Sequence, residues 1–266
     1  MTGEALHRGI VLLEIEDFGS RPDAVRAALR EALYRMAESA LAHAGLDPGR
    51  CRTEERGDGL LILVPGSVPA DRLLRAFLSS LDIDLRTHQQ EHNAALRMRL
   101  RVGMSHGPVV LDGPHLAGGD VDDLAELLDA GPVRQVLARA SRSPLVLVVP
   151  DAFFRSVVAG HGSRHTDPAA YGPRDVVTKR GRTLRGWVTV PGYPRPPEAA
   201  VEETEQGADA QGTDERRATG SIGVLDHHGP GVVGGPPDAV HAPTHHTPPG
   251  PEHDPDDDWP RQTPEP

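Results

Sequence analysis

The residues of this sequence whose types and spacing bear on chemistry are mostly carboxylates. Glu14 lies near the end of an apolar run, IVLLEI at 10–15. Asp58 occupies an Arg-Gly-Asp-Gly turn at 56–59, and Glu54 precedes it by four residues. Asp120, Asp122, Asp123 and Glu126 crowd one short stretch. Divalent cations take oxygen ligands of this kind. Each group also has a plain use. Asp-Gly is ordinary turn chemistry, a hairpin glutamate is a solvated charge, and acids at a helix start suit its dipole. Residue type and spacing leave both uses open. Other reactive groups are sparse. Cys51 is the only cysteine, which excludes an internal disulfide and a cysteine metal cage. In an extended segment it reads as an inert core thiol. His106, in Ser-His-Gly, reads as a structural residue at a strand end. His227, His228, His241, His245, His246 and His253 belong to a solvated low-complexity stretch with at most loose affinity for metal. There is no Walker-type phosphate loop, and Gly118-Gly119 is too short to serve as one.

The elements that must position these residues follow from periodicity. The run at 10–15 is nearly continuous in apolar residues, as in a strand buried on both faces. Val25, Leu29, Leu33, Met36 and Leu41 recur at helical spacing, predicting a helix over 21–44 with Ser20 as N-cap, Pro22 in the first turn and Gly45 as C-cap. Residues 51–65 read as a hairpin about the Arg-Gly-Asp-Gly turn. A second long helical pattern runs from Pro69 to about Leu96. In 98–110, Met98, Leu100 and Val102 alternate with Arg97, Arg99 and Arg101, which predicts a strand whose arginines face solvent. A helix over 121–140 is expected to break near Gly131-Pro132. PLVLVVP at 144–150 is another buried strand, 151–160 a short helix, and 174–179 with 184–190 a closing hairpin about Arg180-Gly181. The order is that of an α/β sandwich with a mixed sheet, of the ferredoxin-like, split βαβ kind.

Composition divides the chain of 266 residues. Residues 194–266 hold 14 of the 26 prolines, 15 of the 39 acidic residues and 4 of the 28 basic ones. Residues 1–193 are therefore balanced, and the net charge of −11 belongs to the tail. A balanced head without a basic block argues against nucleic acid as the main partner. No run approaches the roughly 18 apolar residues of a membrane helix. The start shows no signal-peptide pattern, so the expected compartment is the cytoplasm. The expected organisation is a folded domain over 8–192 and an acidic, Pro/Gly/His-rich disordered tail over 193–266.

Three segments, in order, carry a resemblance. They are EIEDFG at 14–19, EERGDGLLILVP at 54–65 and RLRVGMSHGPVVLDGPHLAGGDVDDLAELLDA at 99–130. Together they resemble the catalytic domain of class III nucleotidyl (adenylate/guanylate) cyclases over residues 8–192. The composition, rich in Ala, Arg, Gly and Pro, is similar to that of actinobacterial members. The resemblance implies a two-metal site for Mg or Mn, with Glu14 and Asp58 at the positions of the family's two aspartates. Glu14 keeps the charge but adds a methylene. It places Glu54 and, with some slippage near Pro114, His115 at the base-specificity positions. Glu54 matches the guanylate-type glutamate, while His115 is neither the usual aspartate nor the usual cysteine. The family's Val-Asn followed by Arg becomes Val121-Asp122 and Glu126. There the asparagine orients the ribose and the arginine stabilises phosphate charge. An anion in the arginine's place adds repulsion where attraction is needed.

The resemblance therefore implies a degenerate cyclase-homology domain, a nucleotide-binding or dimerising regulatory module that forms a homo- or heterodimer and takes a purine nucleoside triphosphate. The alternative is an active cyclase making 3′,5′-cGMP or cAMP, most readily as a heterodimer to which this chain gives the metal-binding half. A third reading is an interaction protein that binds through its acidic Pro-rich tail.

Overall fold

A computed structural model describes residues 5–112, 115–160 and 167–198. The expected tail, 193–266, lies outside these from residue 199 onward, as do the tail histidines and Pro114.

The first strand, β1 (Ala5–Ile15), is longer than its apolar run. It is followed by α1 (Asp23–His43), β2 (Arg52–Arg56) and β3 (Gly59–Pro65). A helical rod, α2, comprises Ala70–Arg72, a π-helical stretch Leu73–Phe77, and Leu78–Glu91. Then come β4 (Leu100–Asp112), the short β5 (His115–Ala117), α3 (Gly119–Leu128), α4 (Gly131–Arg139) and β6 (Leu145–Pro150). A short rod, α5 (Asp151–Phe153 with the π-helical Phe154–Ala159), precedes β7 (Gly172–Val177) and β8 (Thr183–Thr189). The sheet runs β2-β3-β1-β4-β6-β8-β7, with β5 paired to β4. The β4–β6 pair is parallel and the others antiparallel, so the sheet is mixed.

Both faces of this sheet are covered. Val11, Leu13, Ile15, Ile62 and Val64 pack with Leu33, Leu41, Phe77 and Leu81 of α1 and α2. On the other face Ile10, Leu12, Leu63 and Val148 pack with Leu124, Leu128, Val133 and Leu137 of α3 and α4. That is why β1, β3 and β6 read as unbroken apolar runs. Each fully buried aliphatic side chain contributes about 1.5–3 kcal/mol.

Several sequence expectations are corrected in detail. Ser20 does not cap α1: its Oγ donates to the Asp17 carbonyl, and Pro22 occupies the cap without a side-chain bond. The C-terminal expectation holds. Gly45, at φ 71°, donates to Ala42 O while Leu46 N donates to Leu41 O, the paired bonds of a left-handed helix stop. α2 stops at Glu91, short of Leu96, because Asn93 Oδ1 accepts from the backbone of Ala95 and Leu96 and supplies a turn in place of the next helical one. The expected break in the 121–140 helix also holds: α3 ends at Leu128 and α4 begins at Gly131, with Gly131-Pro132 in its first turn.

Candidate functional site

The β1–β3 register brings the two motif acids to one end of the sheet. Glu14 pairs with Gly59, and Ile15 N donates to the Asp58 carbonyl at 2.9 Å. This contact is close: a Cβ on Gly59 would lie 1.7 Å from the Leu13 carbonyl oxygen, so only glycine fits there. Gly57 and Asp58 form the two-residue turn between β2 and β3. The first strand and the hairpin turn therefore meet, as the resemblance requires.

Glu14 shares its sheet face with Ile10 and Leu12, toward α3 and α4. Across the β1–β4 pair it stands opposite Arg101. Here the sequence expectation fails. Arg101 does not face solvent; its side chain is 8% exposed and that of Glu14 14%. Arg101 Nη2 and Nε donate to Glu14 Oε2 at 2.9 and 3.2 Å. Alternation along β4 points the arginine away from α1 and α2, but a second helical layer covers that side too. Arg99 is also enclosed, donating to the Leu137 and Ala140 carbonyls at the end of α4 and pairing with Glu16 at 3.3 Å. Burial pushes the Glu14 carboxyl above its ordinary value; the bond and charge of Arg101 pull it back, and the Asp58 and Asp129 charges push it up again.

A cavity of about 490 Å3 opens beside Glu14. Glu126 and Asp129 from the α3 end, Pro132 of α4, and Asp175 and Lys179 from β7 and its turn line it. Lys179 is the only lysine in the sequence. Glu126 Oε2 accepts the Lys179 backbone N–H at 3.2 Å, and Asp123 pairs with Arg182. These acids clasp the β7–β8 turn. They do not cap α3, whose start has no side-chain cap bond, although Asp120 and Asp122 stand in its first turn. Asp122 is exposed.

The other motif residues sit apart from this cavity. Glu54, on β2, is held by Arg52 Nε at 2.7 Å and Arg56 Nη2 at 3.3 Å and does not line it. His115 pairs by its backbone with Asp112, and its side chain lies outside the described residues. His106 sits within β4, short of its end, tilted against Phe153 and His7 and 3.4 Å from Ser156 Oγ. Cys51 is free and half-buried beside the core, its thiol raised by burial. A larger surface cavity, about 990 Å3, lies between α2 and the segment leading into β7, near Leu74, Leu78, Tyr171 and Pro191, and contains none of the motif residues.

The donor set does not fit the metal pair that the resemblance implies. Among the described residues no three His, Cys, Asp or Glu side chains converge as a metal site requires. The Glu14 oxygen nearest Arg101 already takes two N–H donors. Arg101 bonds Glu14 at the edge of this acidic cluster, Lys179 lines the cavity, and Arg134 pairs with Asp129.

No protein-family profile and no curated protein matches the chain by sequence. Solved structures of similar trace include adenylate and guanylate cyclase domains. A guanylyl cyclase is 18% identical, covering 75% of this chain and 100% of its own, with a TM-score of 0.49. An adenylate/guanylate cyclase/hydrolase from Silicibacter pomeroyi is 20% identical over 71% of this chain and 99% of its own, at 0.48. A guanylate cyclase domain from Catenaria anguillulae, solved with GTP, is 16% identical over 70% of this chain and 97% of its own, at 0.46. No helix among the described residues is long and apolar enough to cross a membrane.

Proposed function

We propose that residues 8–192 are a cyclase-homology domain that acts in the cytoplasm as a nucleotide-binding or dimerising regulatory module and makes no cyclic nucleotide by itself. The observation that carries this reading is the buried Glu14–Arg101 pair. The carboxylate that would hold a cation is neutralised by a guanidinium of the same chain. The substitutions at the Asn and Arg positions agree. Asp122 is exposed on α3, and Glu126 bonds the β7–β8 turn. Removing a cation from a developing phosphate charge and adding an anion costs several kcal/mol of barrier, of order 10²–10³ in rate for each lost donor.

The second reading, a heterodimer in which this chain gives the carboxylate half, is favoured by one feature: the β1–β3 register that keeps Glu14 beside the Asp58 turn. One assay separates them. The purified chain is incubated with Mn²⁺ and GTP or ATP, and cyclic nucleotide is measured. We expect none. Robust turnover, abolished in Asp58→Ala, would overturn the regulatory reading.

A further inference from the structure

A third cavity, of about 410 Å3, opens where α2, the start of β4 and the turn between α4 and β6 meet. Its lining contains Arg86, Arg99 and Arg142, with Gln90 and Ser141 beside them, and no carboxylate among the described residues. The three guanidinium groups are not equivalent. Arg86 gives Nε to Asp82 at 2.9 Å and Nη1 to the Arg142 carbonyl at 3.1 Å, which fixes the turn. Arg99 is spent on Glu16 and on the last carbonyls of α4. Arg142 has no carboxylate partner among the described residues. Its guanidinium lies 4.7 Å over the Tyr193 ring, and the Tyr193 hydroxyl accepts its backbone N–H at 3.1 Å. Two acids thus stand against three cations, and the remaining positive charge belongs to an exposed arginine braced on an aromatic face.

We propose that this cavity is a binding site for a small phosphate-bearing molecule, with Arg142 as its main contact. The guanidinium fork matches phosphate oxygens in pairs, and stacking on Tyr193 reduces the orientational freedom that binding would otherwise remove. The Gln90 amide and the Ser141 hydroxyl add neutral donors, and the absence of lining carboxylates removes the usual competitor. The volume falls within the range of about 300–1,000 Å3 typical of small-molecule sites. The site is separate from the acidic cavity beside Glu14 and does not depend on the function proposed there.

Calorimetric titration of the full chain with inorganic pyrophosphate and, separately, with guanosine 5′-monophosphate tests it. Arg142 is exposed, so Arg142→Gln should leave the thermal midpoint unchanged while weakening binding about tenfold or more. Binding should also weaken with added salt. Asp58→Ala, at the other cavity, should leave it within about twofold. Tighter binding of the nucleotide than of pyrophosphate would identify a nucleotide as the ligand, and the reverse would identify the inorganic anion. No binding of either probe up to about 1 mM, or binding unchanged in Arg142→Gln, overturns the proposal. So does binding lost in Asp58→Ala but kept in Arg142→Gln, which would assign it to the acidic cavity.

Discussion

Arg99, just ahead of β4, and Arg101, within it, stand two residues apart, yet they serve opposite surroundings. Arg101 enters a neighbourhood that holds the acids Glu14, Asp58, Glu126 and Asp129, and it is consumed by Glu14. Arg99 borders a cationic cavity and is consumed by main-chain carbonyls and the more exposed Glu16. Neither guanidinium is simply on display. One neutralises a buried charge and the other caps a helix end, and the two should fail differently when removed.

The largest difference is expected at Arg101. Arg101→Met strands the Glu14 carboxylate in the interior, and losing one partner of a buried pair costs about 3–5 kcal/mol. The double variant Arg101→Met with Glu14→Leu should regain most of that, because a well-packed apolar pair can replace a buried ionic one at little cost. Arg99→Met loses bonds to carbonyls at a helix end that water can partly replace, about 1–2 kcal/mol. Urea unfolding of the four proteins measures all of this. Equal losses for the two single variants, or no recovery in the double, would erase the contrast.

Much of the scaffold was legible in sequence because the relevant physics is local. Continuous apolar runs announced β1 and β6, and the spacing of Leu29, Leu33 and Met36 announced α1. The Arg-Gly-Asp-Gly turn located the hairpin. What was not legible depends on distant packing. An alternating strand says that Arg101 and Val102 face opposite ways, but not that the arginine's side is roofed by α3 and α4. The stop of α2 turned on the side chain of Asn93, outside the periodic pattern. The acids of α3 suggested capping, yet their partners come from a turn more than fifty residues on, at Lys179 and Arg182.

A smaller effect probes the platform beneath the acidic cluster. At Gly59→Ala the new methyl meets the Leu13 carbonyl, so β1 and β3 must separate beside the Asp58 turn. Overpacking of this kind costs about 1–3 kcal/mol. The damage is centred on β1 and β3, away from the turn that carries Arg142, so stability measured by urea should fall while pyrophosphate binding at folded-state temperatures is kept. Loss of both would mean that the two cavities are not independent.

The smallest effect separates two carboxylate–arginine pairs around the acidic cavity by sign alone. Burial holds Glu14 above its ordinary value of 4.5 despite Arg101. A group raised in the folded state contributes stability that is complete below the unfolded value and is lost as pH rises through the folded one. Asp175 is the reverse case. On the surface, both its oxygens accept from Arg185 at 2.7 Å, and that bond first of all holds it below its ordinary value of 3.8. Its contribution is present above 3.8 and is lost as pH falls through the depressed folded value. Wild type should therefore lose stability relative to Glu14→Gln as pH is raised from 4.5, and relative to Asp175→Asn as pH is lowered below 3.8. Unfolding midpoints across that range measure both gaps. Gaps that move in the same direction would mean that Arg101 outweighs burial, and Glu14 would then be an ordinary paired carboxylate, strongly held in its charged form.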